Sequence, residues 1–284
     1  MNGMPAYSFE FFPPRTAEGR QSLRATWQSL AQLKPRFFSV TYGAGGSTRE
    51  GTLDTVREII AAGHAAAPHL SCVASTRAEI AAQLDLYRSH GIRHIVALRG
   101  DLPSGLASAG ELKHANELVG FIRETHGDWF EIEVACYPEF HPQTRYAGDE
   151  IRNFKRKVDA GANGAITQYF YNADAYFRFV DDCRKAGISI PIVPGVMPIR
   201  NFSQLARFSE ACGAEIPRWM RMRFESMHDD AASIRAFGID TVAALCERLL
   251  AGGAPGLHFY TLNHASPVTE IWQRLGLPAS PKAG

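Results

Sequence analysis

The sequence predicts an α/β protein built as a single (β/α)8 TIM barrel, on three observations. Short apolar or alternating runs recur along the chain, each is followed by a helical pattern, and there are eight such units. The runs begin near Ala6, Phe37, His69, His94, Glu131, Ala165, Ile190 and Gly256. In the first, YSFEFF, pleating puts Ser8, Glu10 and Phe12 on one face and Phe9 and Phe11 on the other, and Pro13-Pro14 ends the strand. The second closes in Thr41 and Tyr42 before the loop GAGGST, where Ser47 with Glu50 fits the capping box that opens a helix. After the third run Thr76 with Glu79 repeats that box, Ile80, Leu84 and Tyr87 form one apolar stripe, and Gly91 suits the helix end.

The fourth run ends in Arg99-Gly100-Asp101, and the fifth leads to Tyr137, Glu139 and His141. Ile151, Phe154 and Val158 stripe the next helix, which Gly161 terminates; the sixth run carries Gln168, and Gly187 ends its helix. The seventh unit is oversized. Between Asn201 and Ala254 it holds a helix, the segment 216–227 and a further helical stretch around 241–250, so extra helices are expected between strands 7 and 8. The eighth run includes Tyr260. With no linker or composition break, the expectation is one catalytic domain over residues 1–284.

Thirty basic against 29 acidic side chains leave a net charge of +1, which argues against a nucleic-acid or anionic-membrane partner. No run reaches the roughly 18 unbroken apolar residues of a membrane helix, and the N-terminus has no basic segment before an apolar core. The expected location is cytoplasmic. Five cysteines without a C-x-x-C pair indicate buried, reduced thiols rather than disulfides or a zinc knuckle.

In a barrel of this kind the chemistry lies at the C-terminal ends of the strands. If Phe9 and Phe11 pack against helices, Glu10 points into the barrel near its mouth, where aromatic surroundings should raise its pKa and suit it to general-acid work. The competing expectation is a structural glutamate paired with a buried arginine. The glycine loop 43–48 lacks the third glycine of G-x-G-x-x-G, and it and Arg99-Gly100-Asp101 read equally well as turns. None of the six lysines falls at a strand end, so a Schiff-base aldolase is disfavoured. The ten histidines form no H-x-H or H-E-x-x-H pattern, which leaves a metal site of Glu10, His69 and Asp101 as a minor alternative to no metal.

Several segments, in order, are SFEFFPPRT, SVTYGAGGST, HIVALRGDLP, KRKVDAGAN, AITQYFY, PIVPGVMPI and HFYTLN. Together they closely resemble the bacterial type of methylenetetrahydrofolate reductase. The resemblance implies a flavin barrel in which FAD takes hydride from NADH or NADPH and passes it, in ping-pong fashion, to methylenetetrahydrofolate, giving 5-methyltetrahydrofolate for methionine synthesis. It further implies Glu10 as general acid and Asp101 as the charge that stabilises the folate cation. FAD would be bound by Thr41, Tyr42, Ala44, His69, Arg99, Gly100, Asp101, Ala115, Tyr137, His141, Glu150, Asn153, Arg156 and Lys157. Substrates would meet Glu10, Asp101, Gln168, Gln204, Phe208, Tyr260 and His264. An assembly of identical chains is implied as well.

Three positions depart from the enterobacterial pattern: His264 stands in place of an arginine, Glu150 of an aspartate and His114 of a tyrosine. By pattern alone Arg156 and Lys157 would be a solvated helix face and Phe208 a core residue. The competing classes are a non-catalytic folate- or flavin-binding barrel and a folate methyltransferase barrel without flavin; the presence of both Glu10 and Asp101 favours the reductase.

Overall fold

The computed structural model describes residues 5–42, 49–101, 110–144, 146–228 and 230–277. Strand and helix alternate as the periodicity predicts: β1 (Ala6–Phe11), α1 (Ala17–Ala31), β2 (Phe37–Val40), α2 (Arg49–Ala61), β3 (Ala66–Ser71), α3 (Arg77–Ser89), β4 (His94–Leu98), α4 (Ala115–His126), β5 (Glu131–Cys136), α5 (Ala147–Asp159), β6 (Gly164–Thr167) and α6 (Ala173–Lys185). The remainder is β7 (Ile192–Val193), β8 (Gly195–Val196), α7 (Phe202–Cys212), α8 (Arg218–Glu225), α9 (Ala231–Ala251), β9 (Gly256–Tyr260) and α10 (Ser266–Arg274). All strand pairs are parallel, in the order β7-β6-β5-β4-β3-β2-β1-β9-β8.

The seventh strand is divided, which the sequence reading did not anticipate. Pro191 and Pro194 have no N–H to give to a ladder. Their carbonyls still accept, Pro191 from Ala165 N at 2.9 Å and Pro194 from His258 N at 3.0 Å. The position therefore pairs with β6 through β7 and with β9 through β8, and the ring is nearly closed with eight strand positions.

Local signals hold where they can be examined. Thr76 and Glu79 form the expected reciprocal capping box, and Gly91, Gly161 and Gly187 all take positive φ just past their helices. Ser47 lies outside the described residues. Two boundaries move. β3 starts at Ala66 rather than His69, because pairing on both edges (Phe38↔Ala66, His69↔Val96) holds an alanine- and proline-bearing run of low strand propensity. α9 starts at Ala231, well before residue 241, where Asp230 accepts hydrogen bonds from Ala232 N and Ser233 N, both at 3.1 Å.

The apolar core has two layers. Phe9 and Phe11 face outward, as the alternation predicts, and Phe9 packs among Phe38, Phe259 and Trp272 of α10. Each aromatic of this kind contributes about 1.5 to 3 kcal/mol by leaving water. Inside the ring, Phe37, Ala67, Val96 and Ile166 fill a smaller second layer. Val96 and Ile166 of that layer also border the cavity at the C-terminal ends of the strands. Cys72, Cys136, Cys183 and Cys246 are buried free thiols, and Cys212 is half-buried. Among the described residues no helix is long and apolar enough to cross a membrane.

Candidate active site

A cavity of about 1290 Å³ opens at the C-terminal ends of the strands. Its floor is made by β1 and its neighbours. Ser8 and Glu10 occupy inward positions of β1, opposite His258 and Tyr260 of β9. Glu10 Oε2 lies 3.2 Å from His69 Nε2 and 3.3 Å from His258 Nε2, and Ser39 Oγ donates to it at 3.4 Å. His258, fully buried, carries the contact further: its Nδ1 is 2.7 Å from Ser8 Oγ.

This arrangement corrects the expected electrostatics of Glu10. Burial does push its carboxyl up, but the charge of His69, hydrogen bonds from His258 and His69, and the charge of His258 outweigh burial and hold it down to about 2. Neither the raised pKa nor the buried arginine partner is found; two imidazoles take the arginine's place. The sequence reading passed over His258. Its signal was available: in GLHFY it sits on the same pleat face as Tyr260, an imidazole on an otherwise apolar inward face.

The cavity wall gathers most of the expected residues. Tyr42, His69, Arg99, Gly100, Asp101, Ala115, Tyr137, His141, Glu150, Asn153, Arg156, Lys157, Gln168, Phe208 and Tyr260 all line it together with Glu10. Thr41, Gln204 and His264 do not line it, although Gln204 and Phe208 share α7. Ala44 lies outside the described residues. Asp101 is exposed at the mouth.

Each wall residue is held by a specific contact. Gly100 has φ +86°, and a Cβ there would sit 2.0 Å from Ser71 Oγ, so only glycine allows the chain to turn beside β3. Arg99 Nη1 donates to Gln143 Oε1 at 2.8 Å. Lys157 reaches across from α5 to donate to Ala135 O at 2.6 Å, and burial lowers its pKa. It is half-buried rather than the solvated group its helix pattern suggested, whereas Arg156 is exposed. Tyr137 stacks edgewise on His141, whose pKa burial also lowers. Glu150 accepts from His141 N and from the Thr144 hydroxyl. Tyr260 donates to Thr167 O at 2.7 Å and has its phenol pKa raised well above the ordinary value by burial and the Glu10 charge. Phe208, 39% exposed, lines the cavity instead of joining the core.

A ligand-binding cleft for one small molecule is typically about 300 to 1,000 Å³. This one exceeds that range, and its wall combines cations (Arg99, Arg156, Lys157), aromatics and amides, a lining that fits a dinucleotide with room for a second flat ligand. Glu10, His69 and Asp101 are not drawn together as metal ligands; among the described residues the one group of such side chains close enough lies elsewhere.

The family model for methylenetetrahydrofolate reductase matches residues 1–276. The chain is 43% identical over 278 residues to the 5,10-methylenetetrahydrofolate reductase of Salmonella typhimurium, covering 98% of this chain and 93% of that protein. Against the Escherichia coli protein of the same description the identity is 42% with the same coverage. Among solved structures, a Clostridium thermocellum protein that binds two copies of 5-methyl-5,6,7,8-tetrahydrofolic acid superposes with a TM-score of 0.64 at 15% identity, over 96% of this chain and 95% of that one, a likeness of fold. Matched by the family model along nearly its whole length and more than 40% identical to those two bacterial reductases, the chain belongs to the methylenetetrahydrofolate reductase family and is an oxidoreductase of that activity.

Proposed function

We propose that the protein reduces 5,10-methylenetetrahydrofolate with NADH or NADPH through bound FAD, in two alternating half-reactions at one cavity, with Glu10 as the proton donor. The observation that carries the reading is the carboxylate of Glu10, flanked by His69 and His258, at the floor of a cavity wide enough for a flavin and a second ligand.

The residues that would hold FAD are those of the wall between β3 and α5. Arg156 and Lys157 suit the diphosphate, since charge-assisted hydrogen bonds to phosphate are the strong class. Tyr42, Arg99, Gly100, Tyr137 and His141 would border the rest. When bound, the flavin supplies hydride chemistry, accepting from the nicotinamide and giving to the folate. Phe208 offers a ring face on which either flat ligand can stack, and Gln168 offers an amide to both.

The one-carbon bridge of the folate becomes an acceptor of hydride only after its bond to N10 opens, and opening needs a proton on that nitrogen. In the open cavity the Glu10 carboxyl is ionised, because it is held down to about 2. A bound pterin displaces water from the floor, and loss of water favours the neutral carboxylic acid. Glu10 then takes up a proton from the cavity water and passes it to N10, while His258, steadied by Ser8, and His69 keep the carboxyl aimed. Asp101 at the mouth supplies negative charge to the cationic folate that results.

The test is anaerobic. Purified protein should be yellow, bleach with NADH or NADPH, and recover its colour with methylenetetrahydrofolate alone. A colourless protein that still binds folate would favour the binding-module reading, and one that bleaches but is not reoxidised would refute the folate half-reaction.

A further inference from the structure

The end of the barrel opposite the cavity holds a second polar cluster. β4 begins with His94 and β5 with Glu131, which lie opposite each other in the ladder, and Glu133 shares the face of Glu131 two residues on. His94 is 7% exposed and Glu133 3%, while Glu131 reaches the surface. One ligand-capable atom from each of the three lies within 4.8 Å of the other two. Gly164 of β6 makes the space: a Cβ there would stand 2.3 Å from Glu133 Oε2.

Charge is not balanced in this pocket. Arg36 contacts Glu131 closely, but its Nη1 is 3.9 Å from Glu133 Oε1, so two carboxylates face one guanidinium. His94 Nε2 is 3.5 Å from the same Glu133 oxygen. Neither His94 Nε2 nor Glu133 Oε2 has a hydrogen-bond partner. Buried polar atoms are rarely left so, and a buried carboxylate rarely lacks a full counter-charge. A metal ion held by the unpartnered atoms can complete the cluster. The donors are one imidazole nitrogen and two carboxylates, a set that suits zinc and its first-row neighbours and leaves a fourth position for water. The ring of Phe37, with its centroid 4.1 Å from that of His94, fixes the imidazole in place.

We propose that His94, Glu131 and Glu133 form a binding site for a divalent first-row cation of the zinc type at the N-terminal end of the barrel. The ion would tie β4 to β5 and stabilise the fold without touching the cavity. Binding would draw both carboxylates from Arg36 and give the unpartnered His94 Nε2 a ligand.

The probe is Co2+ added alone to chelator-treated full-length protein, followed by visible absorption. The wild type should give a saturable signal at one Co2+ per chain, displaced by Zn2+ and indifferent to Mg2+, and Zn2+ should raise Tm. Glu133→Gln should abolish the signal. Because that change alters a buried group and can disturb folding, Arg36→Gln provides a second arm: removal of the competing guanidinium should tighten Co2+ binding at least tenfold. No saturable signal in the wild type, or a signal that ignores both substitutions, overturns the proposal and leaves an internal ion network without a metal.

Discussion

His258 touches Glu10 Oε2 with Nε2 at 3.3 Å and Ser8 Oγ with Nδ1 at 2.7 Å, so one buried imidazole fixes the carboxylate from beneath. His258→Gln keeps a hydrogen-bonding group but no titratable proton. The expected result is normal FAD content and normal bleaching by NAD(P)H, with reoxidation by methylenetetrahydrofolate slowed about tenfold or more. Equal slowing of both halves would instead make His258 a packing residue.

The same contacts make Glu10 a contributor to acid stability. Its carboxyl is held from the ordinary value of 4.5 down to about 2, so its stabilisation is present above about 4.5 and is lost as pH falls toward 2. The upper bound is about 3 kcal/mol, less whatever solvent screening removes at this partly open site. The Tm difference between wild type and Glu10→Gln should therefore narrow as pH is lowered through that window. A difference independent of pH would mean that the Glu10 carboxyl is not held below its ordinary range.

His264 is exposed, and burial together with the charge of Arg200 lowers its pKa from 6.5. If it meets the folate carboxylates, its grip requires the imidazolium and so weakens as pH rises through the region below 6.5, with little change between 7 and 8. His264→Arg should flatten the profile. Folate KM measured from about pH 5 to 8 in both proteins decides it, and a flat wild-type curve would remove His264 from the folate site.

Lys157 and Arg156 should be separable. Lys157 donates to Ala135 O and is half-buried, while Arg156 is exposed and donates to Asn153 Oδ1 at 3.4 Å. Loss of either should weaken FAD by about 1.5 to 3 kcal/mol, roughly ten- to a hundredfold. Lys157→Met should also lower Tm, because it strips the half-buried Ala135 carbonyl of its donor. Unchanged flavin retention in the double variant would show the diphosphate to lie elsewhere.

Gly256, the first residue of β9, packs so closely on β1 that a Cβ would fall 1.7 Å from Ala6 O. Gly256→Ala must part the two strands that carry Ser8, Glu10, His258 and Tyr260. Overpacking of this kind costs about 1 to 3 kcal/mol or more, a fall in Tm of several degrees. A variant with wild-type Tm would show that β1 and β9 can shift freely.

The barrel was legible because its signals are local. Alternation in YSFEFF gave the faces of β1, Thr76 with Glu79 gave a helix start, and the oversized seventh unit gave the extra helices. The division at Pro194 was less legible, since it depends on which neighbours the carbonyls find. The environment of Glu10 was legible only in part. His69 and His258 are 189 residues apart in the chain and meet only when β9 closes against β1, so composition around Glu10 suggested a raised pKa where the fold lowers it. Lys157 and Phe208 failed for a related reason: helical periodicity cannot tell a core-facing position from one that faces a cavity.

The most direct test of the account is rapid-reaction kinetics of Glu10→Gln, with the two half-reactions measured separately. Glutamine keeps the size and the contacts to His258 and His69 but has no acidic proton to give. The account predicts FAD content and reduction by NAD(P)H near those of the wild type, with reoxidation by methylenetetrahydrofolate slowed at least 10²-fold, as expected for loss of a general acid. Reoxidation at the wild-type rate would contradict it, by placing the proton donor elsewhere in the cavity.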